Sequence, residues 1–370
     1  MAFATRLLLA VAAAAALSTS EAADDGPNGV RITDFRRVGR TALQVEEFVD
    51  GSGGAREFTE ILFDVDRYQV IVGARDALFR LGLEGLTMLE KAAWEAKASS
   101  RDLCVSKGQS EADCRNYVKA SSLRVLFGRK SSSTSIISWF IQSISHPYSY
   151  RLCLFQVLVR AGDRIFACGT HAFSPKCSWR KAEHINTVSK WVDGRGKCPY
   201  SPRDNSTARM SRGGDEYYVA SAIDFSSNDH AIYRMSGSRF ETTLRTDEYN
   251  ALWLSRPDFV MSFETERFVY FLFRESAVEA TNCGKAVYSR IARVCKNDNG
   301  GKILLKDNWT TFLKARLNCS VAGDYPFYYD HIQSAYYLET AATVYASFTT
   351  GENEIAGSAV CAFGLAEIEG

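Results

Sequence analysis

Arg267-Phe-Val-Tyr-Phe-Leu-Phe-Arg, followed by Ala286-Val-Tyr-Ser-Arg-Ile-Ala-Arg, decides the fold class of this chain. An apolar run bounded by charge is succeeded by an aromatic–basic run, each of strand length. The couplet recurs. Phe58-Thr-Glu-Ile-Leu-Phe-Asp leads into Tyr68-Gln-Val-Ile-Val-Gly-Ala and then Ala77-Leu-Phe-Arg-Leu. Arg164-Ile-Phe-Ala-Cys-Gly-Thr precedes Glu216-Tyr-Tyr-Val-Ala-Ser-Ala and Ala231-Ile-Tyr-Arg, and Thr343-Val-Tyr-Ala-Ser-Phe-Thr precedes Ser358-Ala-Val-Cys-Ala-Phe. A unit of roughly 50 residues built of short antiparallel strands is what a β-propeller blade requires. A β-sandwich with long insertions is the alternative, but it gives no reason to repeat one couplet five times. Helical periodicity is confined to Leu83–Ser99 and Thr310–Leu317, where short helices are predicted.

Composition agrees with an all-β reading. The 370 residues include 22 Phe and 17 Tyr, large β-formers, and aromatics make up 12%. Apolar residues at 46% and charged residues at 24% match an ordinary globular protein, which excludes wholesale disorder. Lys and Arg number 44 against 43 Asp and Glu. A chain so nearly neutral has no electrostatic drive toward phosphate backbones or anionic lipid, so no nucleic-acid partner is expected.

The first residues point to a compartment. Arg6 precedes an apolar run from Leu7 to Leu17 and then small residues, the pattern of a secretory signal peptide over residues 1–22, cleaved after Ala22. A membrane-spanning helix needs about 20 apolar residues, more than this run supplies. In an oxidising compartment the ten cysteines read first as disulfides. Cys104/Cys114 and Cys168/Cys177 are spaced for short, easily closed loops, each worth roughly 2–4 kcal/mol. A metal site from Cys168, His171 and Cys177 lacks a fourth ligand at zinc spacing. Sequons at Asn205, Asn308 and Asn318 fit the secretory route and are the expected glycosylation sites.

Signals of catalysis are thin. Asp50-Gly51-Ser52-Gly53-Gly54 superficially matches a serine-protease loop, yet all five histidines follow it, the wrong order for that type. No P-loop, dinucleotide fingerprint or His-Glu-x-x-His is present, and no cofactor is expected. A protein-recognition platform remains. Trp179, Trp191, Trp253 and Trp309 are candidate anchors, although most propeller tryptophans pack between blades. Arg36-Arg37, Arg180-Lys181 and the pair Arg195 and Lys197 are candidate contacts for acidic glycans such as a glycosaminoglycan, with solvated charge the competing reading.

The segment Ile291-Ala-Arg-Val-Cys-Lys-Asn-Asp-Asn-Gly-Gly resembles the semaphorins, and Asn308-Trp-Thr-Thr-Phe-Leu-Lys-Ala-Arg-Leu-Asn-Cys-Ser-Val follows that family almost letter for letter. Pro326-Phe-Tyr-Tyr-Asp-His-Ile-Gln-Ser-Ala-Tyr continues the likeness, as do Cys168-Gly-Thr-His-Ala-Phe-Ser-Pro-Lys-Cys and Lys197-Cys-Pro-Tyr-Ser-Pro-Arg-Asp-Asn-Ser-Thr upstream. Plexins and Met-type receptors share the sema fold without the Trp-Thr-Thr-Phe-Leu-Lys-Ala-Arg segment. The wording Asn282-Cys-Gly-Lys-Ala-Val-Tyr-Ser-Arg is most similar to class 5 or its invertebrate relatives.

The resemblance implies a seven-bladed sema propeller over residues 30–370, incomplete here with about five blades. It implies a non-enzymatic ligand that binds a plexin receptor as a homodimer in axon guidance and cell migration; a non-signalling fragment or decoy is the alternative. The full-length relative would carry a membrane anchor, whereas the chain as written reads as secreted. The resemblance further suggests the bridges Cys104–Cys114, Cys168–Cys177 and Cys319–Cys361, leaves Cys295 unpaired, and assigns no partners to Cys153, Cys198 and Cys283. Receptor contacts are expected between Pro175 and Pro257, at Arg203, Asp204 and Asp229. Likeness to the family stops before Ala120 and resumes after Val157, so residues 120–157 are expected to be an insertion looping out of the second blade. A strand near Val30–Val38 would complete a final blade that is missing, giving an open arc expected to aggregate or be retained during secretion when expressed alone.

Overall fold

The computed structural model describes residues 7–11, 44–48, 58–119, 158–237, 241–280, 284, 286–303, 305–351 and 353–369. Near the N-terminus β1 (Leu7–Val11) pairs antiparallel with β2 (Gln44–Phe48). The blades follow. The first holds β3 (Phe58–Asp64), β4 (Gln69–Ala74), β5 (Ala77–Gly82) and β6 (Met88–Ala93), after which comes helix α1 (Ala98–Ser106). The second holds β7 (Val118–Lys119), β8 (Leu158–Ala161), β9 (Arg164–Gly169), β10 (Lys176–Lys181) and β11 (Val188–Asp193).

The third blade is β12 (Thr207–Met210), β13 (Glu216–Ala222), β14 (His230–Ser236) and β15 (Glu241–Arg245). The fourth is β16 (Asp258–Glu264), β17 (Phe268–Ser276), β18 (Val287–Cys295) and β19 (Leu313–Arg316). A small hairpin, β20 (Ser320–Val321) and β21 (Phe327–Tyr328), leads to the fifth: β22 (His331–Leu338), β23 (Thr343–Thr349) and β24 (Ser358–Gly364), closed by helix α2 (Leu365–Glu369). Among the described residues the chain is therefore all-β with five propeller blades. The first strands of successive blades lie side by side, β3 beside β8, β8 beside β12, β12 beside β16 and β16 beside β22. The strand expected near Val30–Val38 lies outside the described residues.

The apolar strands of the second, third and fourth blades are buried on both faces because each of these blades is sandwiched between two others. In β17, Val269, Phe271 and Phe273 pack with Tyr218, Ala220 and Ile232 of the third blade. The alternate residues Phe268, Tyr270 and Leu272 pack with Ile332, Val344 and Phe348 of the fifth. The period-2 geometry of a strand thus feeds two cores from one sequence run. Each phenylalanine so buried contributes about 1.5–3 kcal/mol relative to exposure. β13 does the same, sending Tyr217 and Val219 toward the second blade and Tyr218 and Ala220 toward the fourth.

Both predicted helices are corrected. Within Leu83–Ser99 the chain forms β6, paired with β5 from Ala77↔Ala93 to Leu81↔Met88, and helix begins only at Ala98. Within Thr310–Leu317 it forms β19, paired with β18 from Arg290↔Arg316 to Arg293↔Leu313. Leu, Ala, Lys and Glu favour helix locally, but each segment meets the unpaired edge of a formed sheet, and ladder hydrogen bonds override that preference.

The second blade has a divided first strand. Val118 and Lys119 of β7 stand opposite Gly169 and Cys168, and Leu158 and Val159 of β8 stand opposite Ala167 and Phe166. Beside this strand, fully buried Asn116 donates to the Trp94 carbonyl (2.6 Å) and accepts from the His171 amide (2.9 Å). Gly169 is required there, since a Cβ would lie 2.3 Å from Asn116 Oδ1.

Candidate receptor-contact site

The expected contact residues gather at one end of the second and third blades. The pieces are the loop after α1, the turn between β9 and β10, the segment before β12, and the turn between β13 and β14. The Cys104–Cys114 disulfide closes the first and Cys168–Cys177 straddles the second. The third expected bridge, Cys319–Cys361, ties the hairpin segment to β24. Cys168 and Cys177 are bonded to each other, so they are not metal ligands. Cys295 forms no disulfide among the described residues, and Cys153 and Cys283 lie outside them.

The turn after β9 is strained. His171, Ala172 and Phe173 all have positive φ (43°, 57° and 56°), a left-handed run that costs roughly 1–2 kcal/mol per residue. It persists because its surroundings hold it: the Ala172 amide donates to the Arg115 carbonyl (3.0 Å), and the Ser174 amide to the Thr170 carbonyl (3.0 Å). Ala172 and Phe173 bury themselves against the Cys104–Cys114 bridge, with Tyr200 and Phe225 packed alongside. Phe173 and Phe225 lie 5.2 Å apart, and Lys107 Nζ sits 5.0 Å over the Phe225 ring.

On this base the three expected contacts differ in their exposure. The Arg203 side chain is 75% exposed and its Nη2 reaches Asp113 Oδ2 at 2.6 Å, joining the third blade's entry to the disulfide loop. Asp204, half-buried, accepts the Ser227 hydroxyl from the neighbouring turn. Asp229 is buried: Oδ1 accepts from the His230 amide (2.9 Å) and Oδ2 from the Tyr249 amide (3.0 Å). Arg203 is thus outward-facing, while Asp229 shapes the turn behind it. Sequence reasoning missed Asp113, although its place beside Cys114 fixes it to the same rim.

A cavity of about 440 Å³ opens next to this rim, lined by Arg195, Tyr200, Tyr233, Met235 and Thr242 among others. At its mouth, burial pushes the Asp193 carboxyl up, but hydrogen bonds from the Arg195 side chain and amide outweigh that and hold it below the ordinary range. Burial lowers the Lys197 ammonium. Burial also lowers His230, against the upward pull of Asp204, Asp229, Asp224 and Asp258.

The basic clusters proposed for glycans are mostly engaged. Arg180 is buried between Trp94 (4.8 Å) and Trp191 (5.9 Å), and burial brings its guanidinium down to about 10. Arg195 pairs with Asp193 at 2.7 Å, Lys197 is buried, and Arg36-Arg37 lie outside the described residues. Of the candidate anchors, Trp179 and Trp309 are buried, Trp253 stacks on Phe312 at 5.0 Å, and Trp191 remains half exposed. Of the sequon asparagines, Asn318 is exposed, whereas Asn205 and Asn308 are half-buried.

The Sema domain family matches residues 332–370. Mouse Semaphorin-5B is 44% identical over 315 residues, 85% of this chain and 25% of its own length. Drosophila Semaphorin 5c is 46% identical over 312 residues, 84% and 25% respectively. The chain spans about a quarter of the length of these curated relatives. Among solved structures, that of Drosophila Plexin A in complex with Semaphorin 1b matches at a TM-score of 0.67 and 36% identity, over 85% of this chain and 52% of the matched one. The five-blade arrangement, the three disulfides and these likenesses agree that the chain belongs to the semaphorin family.

Proposed function

We propose that this chain is the receptor-binding propeller of an extracellular signalling ligand that engages a plexin, in processes such as axon guidance and cell migration. The observation that carries the reading is its likeness to a structure of a semaphorin in complex with Plexin A. The exposed Arg203 on the rim of the second and third blades supplies the contact, with Asp204 beside it and Asp229 holding the turn. Residues 1–22 are read as the leader, which would remove β1 on cleavage, and the longer protein as a homodimer. No glycosaminoglycan surface is assigned to the described basic clusters, which are largely engaged.

The test is binding of the secreted chain to immobilised plexin ectodomains, with light scattering for the homodimer. Arg203→Glu is expected to weaken binding at least tenfold with no change in melting temperature. Asp204→Asn is expected to weaken it less, and Asp229→Asn to lower binding and melting together. Unchanged affinity for all three variants overturns the placement.

A further inference from the structure

We propose that Asn318 carries an N-linked glycan in the folded, secreted protein and that Asn205 does not. The proposal rests on the secretory reading above. All three sequons meet the Asn-x-Ser/Thr rule, but the fold treats them differently. Leu317 is buried with its amide bonded to the Ser289 carbonyl (2.8 Å), and Cys319 is buried in its disulfide with a carbonyl accepting from Tyr329 (2.9 Å). With both neighbours locked inward, Asn318 between them is turned out and exposed. The adjoining hairpin leaves Val321, Tyr325, Phe327 and Tyr328 exposed, so no blade covers this side among the described residues.

Asn205 is built into the structure instead. Its Nδ2 donates to Asp258 Oδ1, and its Oδ1 is buried. Asp258 Oδ2 accepts from Arg274, whose Nη1 reaches the Ile332 carbonyl at 2.7 Å and Gln333 Oε1 at 3.2 Å. This polar chain joins the third, fourth and fifth blades. The remaining sequon residues, Ser206 and Thr207, are buried, and Thr207 Oγ1 bonds Ser262 Oγ at 2.9 Å. A sugar on Asn205 Nδ2 crowds the Asp258 carboxylate that this nitrogen donates to and disrupts the junction. A molecule modified there before folding cannot close the third blade on the fourth, and is withheld from the folded pool.

In the transfer at Asn318, Nδ2 forms a bond to the anomeric carbon of a lipid-pyrophosphate-linked oligosaccharide. The carbon–oxygen bond to pyrophosphate breaks, the lipid pyrophosphate leaves with the electron pair, and the amide gives up one proton to a base.

The full chain, expressed in animal cells and recovered from the medium with its disulfides intact, is treated with peptide N-glycosidase in ¹⁸O-water and mapped by mass spectrometry. The expected result is heavy-oxygen aspartate at position 318 and unmodified asparagine at 205; Ser320→Ala removes the label at 318. Unmodified Asn318, or label at Asn205 in the folded secreted fraction, overturns the proposal. A parallel chain carrying a proven leader in place of residues 1–22 separates the two readings. Label at 318 only with the substitute leader sinks the native-leader reading and supports this one.

Discussion

Lys119 and Leu158 occupy adjacent positions against one strand: Lys119 stands opposite Cys168, and Leu158 opposite Ala167. The residues on either side of 120–157 therefore continue a single antiparallel register along β9. We propose that residues 120–157 interrupt one strand without altering its pairing. Residues 120–157 themselves lie outside the described residues, and closing any chain connection of that length costs about 3 kcal/mol in entropy. Deleting residues 120–157 is expected to give a folded protein whose melting temperature is equal or higher, with Cys168–Cys177 intact. Loss of cooperative unfolding in the deletion variant sinks the idea.

Trp309 is a tie between blades rather than a binding anchor. Its Nε1 donates to the Ile232 carbonyl (2.9 Å), its ring stacks on Tyr218, and it is 3% exposed. Trp309→Ala is expected to destabilise the fold by about 3–5 kcal/mol. Trp191→Ala, at a half-exposed site, should cost under about 1 kcal/mol. Urea denaturation of both variants checks the contrast.

Glu275 is fully buried and gathers two cations of the fourth blade, Arg290 Nε at 3.0 Å and Lys314 Nζ at 2.6 Å, while its other oxygen accepts from the Ser255 amide at 3.0 Å. Glu275→Ala leaves two poorly solvated charges without their shared carboxylate and is expected to cost about 3 kcal/mol or more. Glu279→Ala removes only the outer partner of Arg290, a half-exposed carboxylate, and should cost under about 1 kcal/mol.

His230 links stability to pH. Burial holds its pKa below 6.5 despite the facing carboxylates Asp204, Asp229, Asp224 and Asp258, and burial lowers His171 likewise. The unfolded chain therefore binds these protons more readily than the folded one. Their contribution to stability is fully present above pH 6.5 and is lost as pH falls from there through the lowered folded values. His230→Gln is expected to flatten the fall of melting temperature below pH 6.5, and a slope identical to the parent removes His230 from the account.

What the sequence by itself determined is the run of doubly buried strands. A stretch such as Phe268 to Phe273 has no charged residue to turn toward water, so it lies between two layers, and the recurrence of its couplet along the chain calls for a series of packed sheets. Arg203 and Asp204 are singled out by the resemblance of their segment, Lys197 to Thr207, to the semaphorins, and their contact with a receptor stays a proposal. What only the tertiary structure decided depends on partners distant in the chain. Met88–Ala93 and Leu313–Arg316 are strands because a sheet edge was waiting for them, which local propensity does not encode. Asp229 and Asn205 face inward because the amides of His230 and Tyr249 and the carboxylate of Asp258 meet them there. Identical residue types on the surface and in a junction are indistinguishable until packing closes around one of them and desolvation makes its hydrogen bonds obligatory.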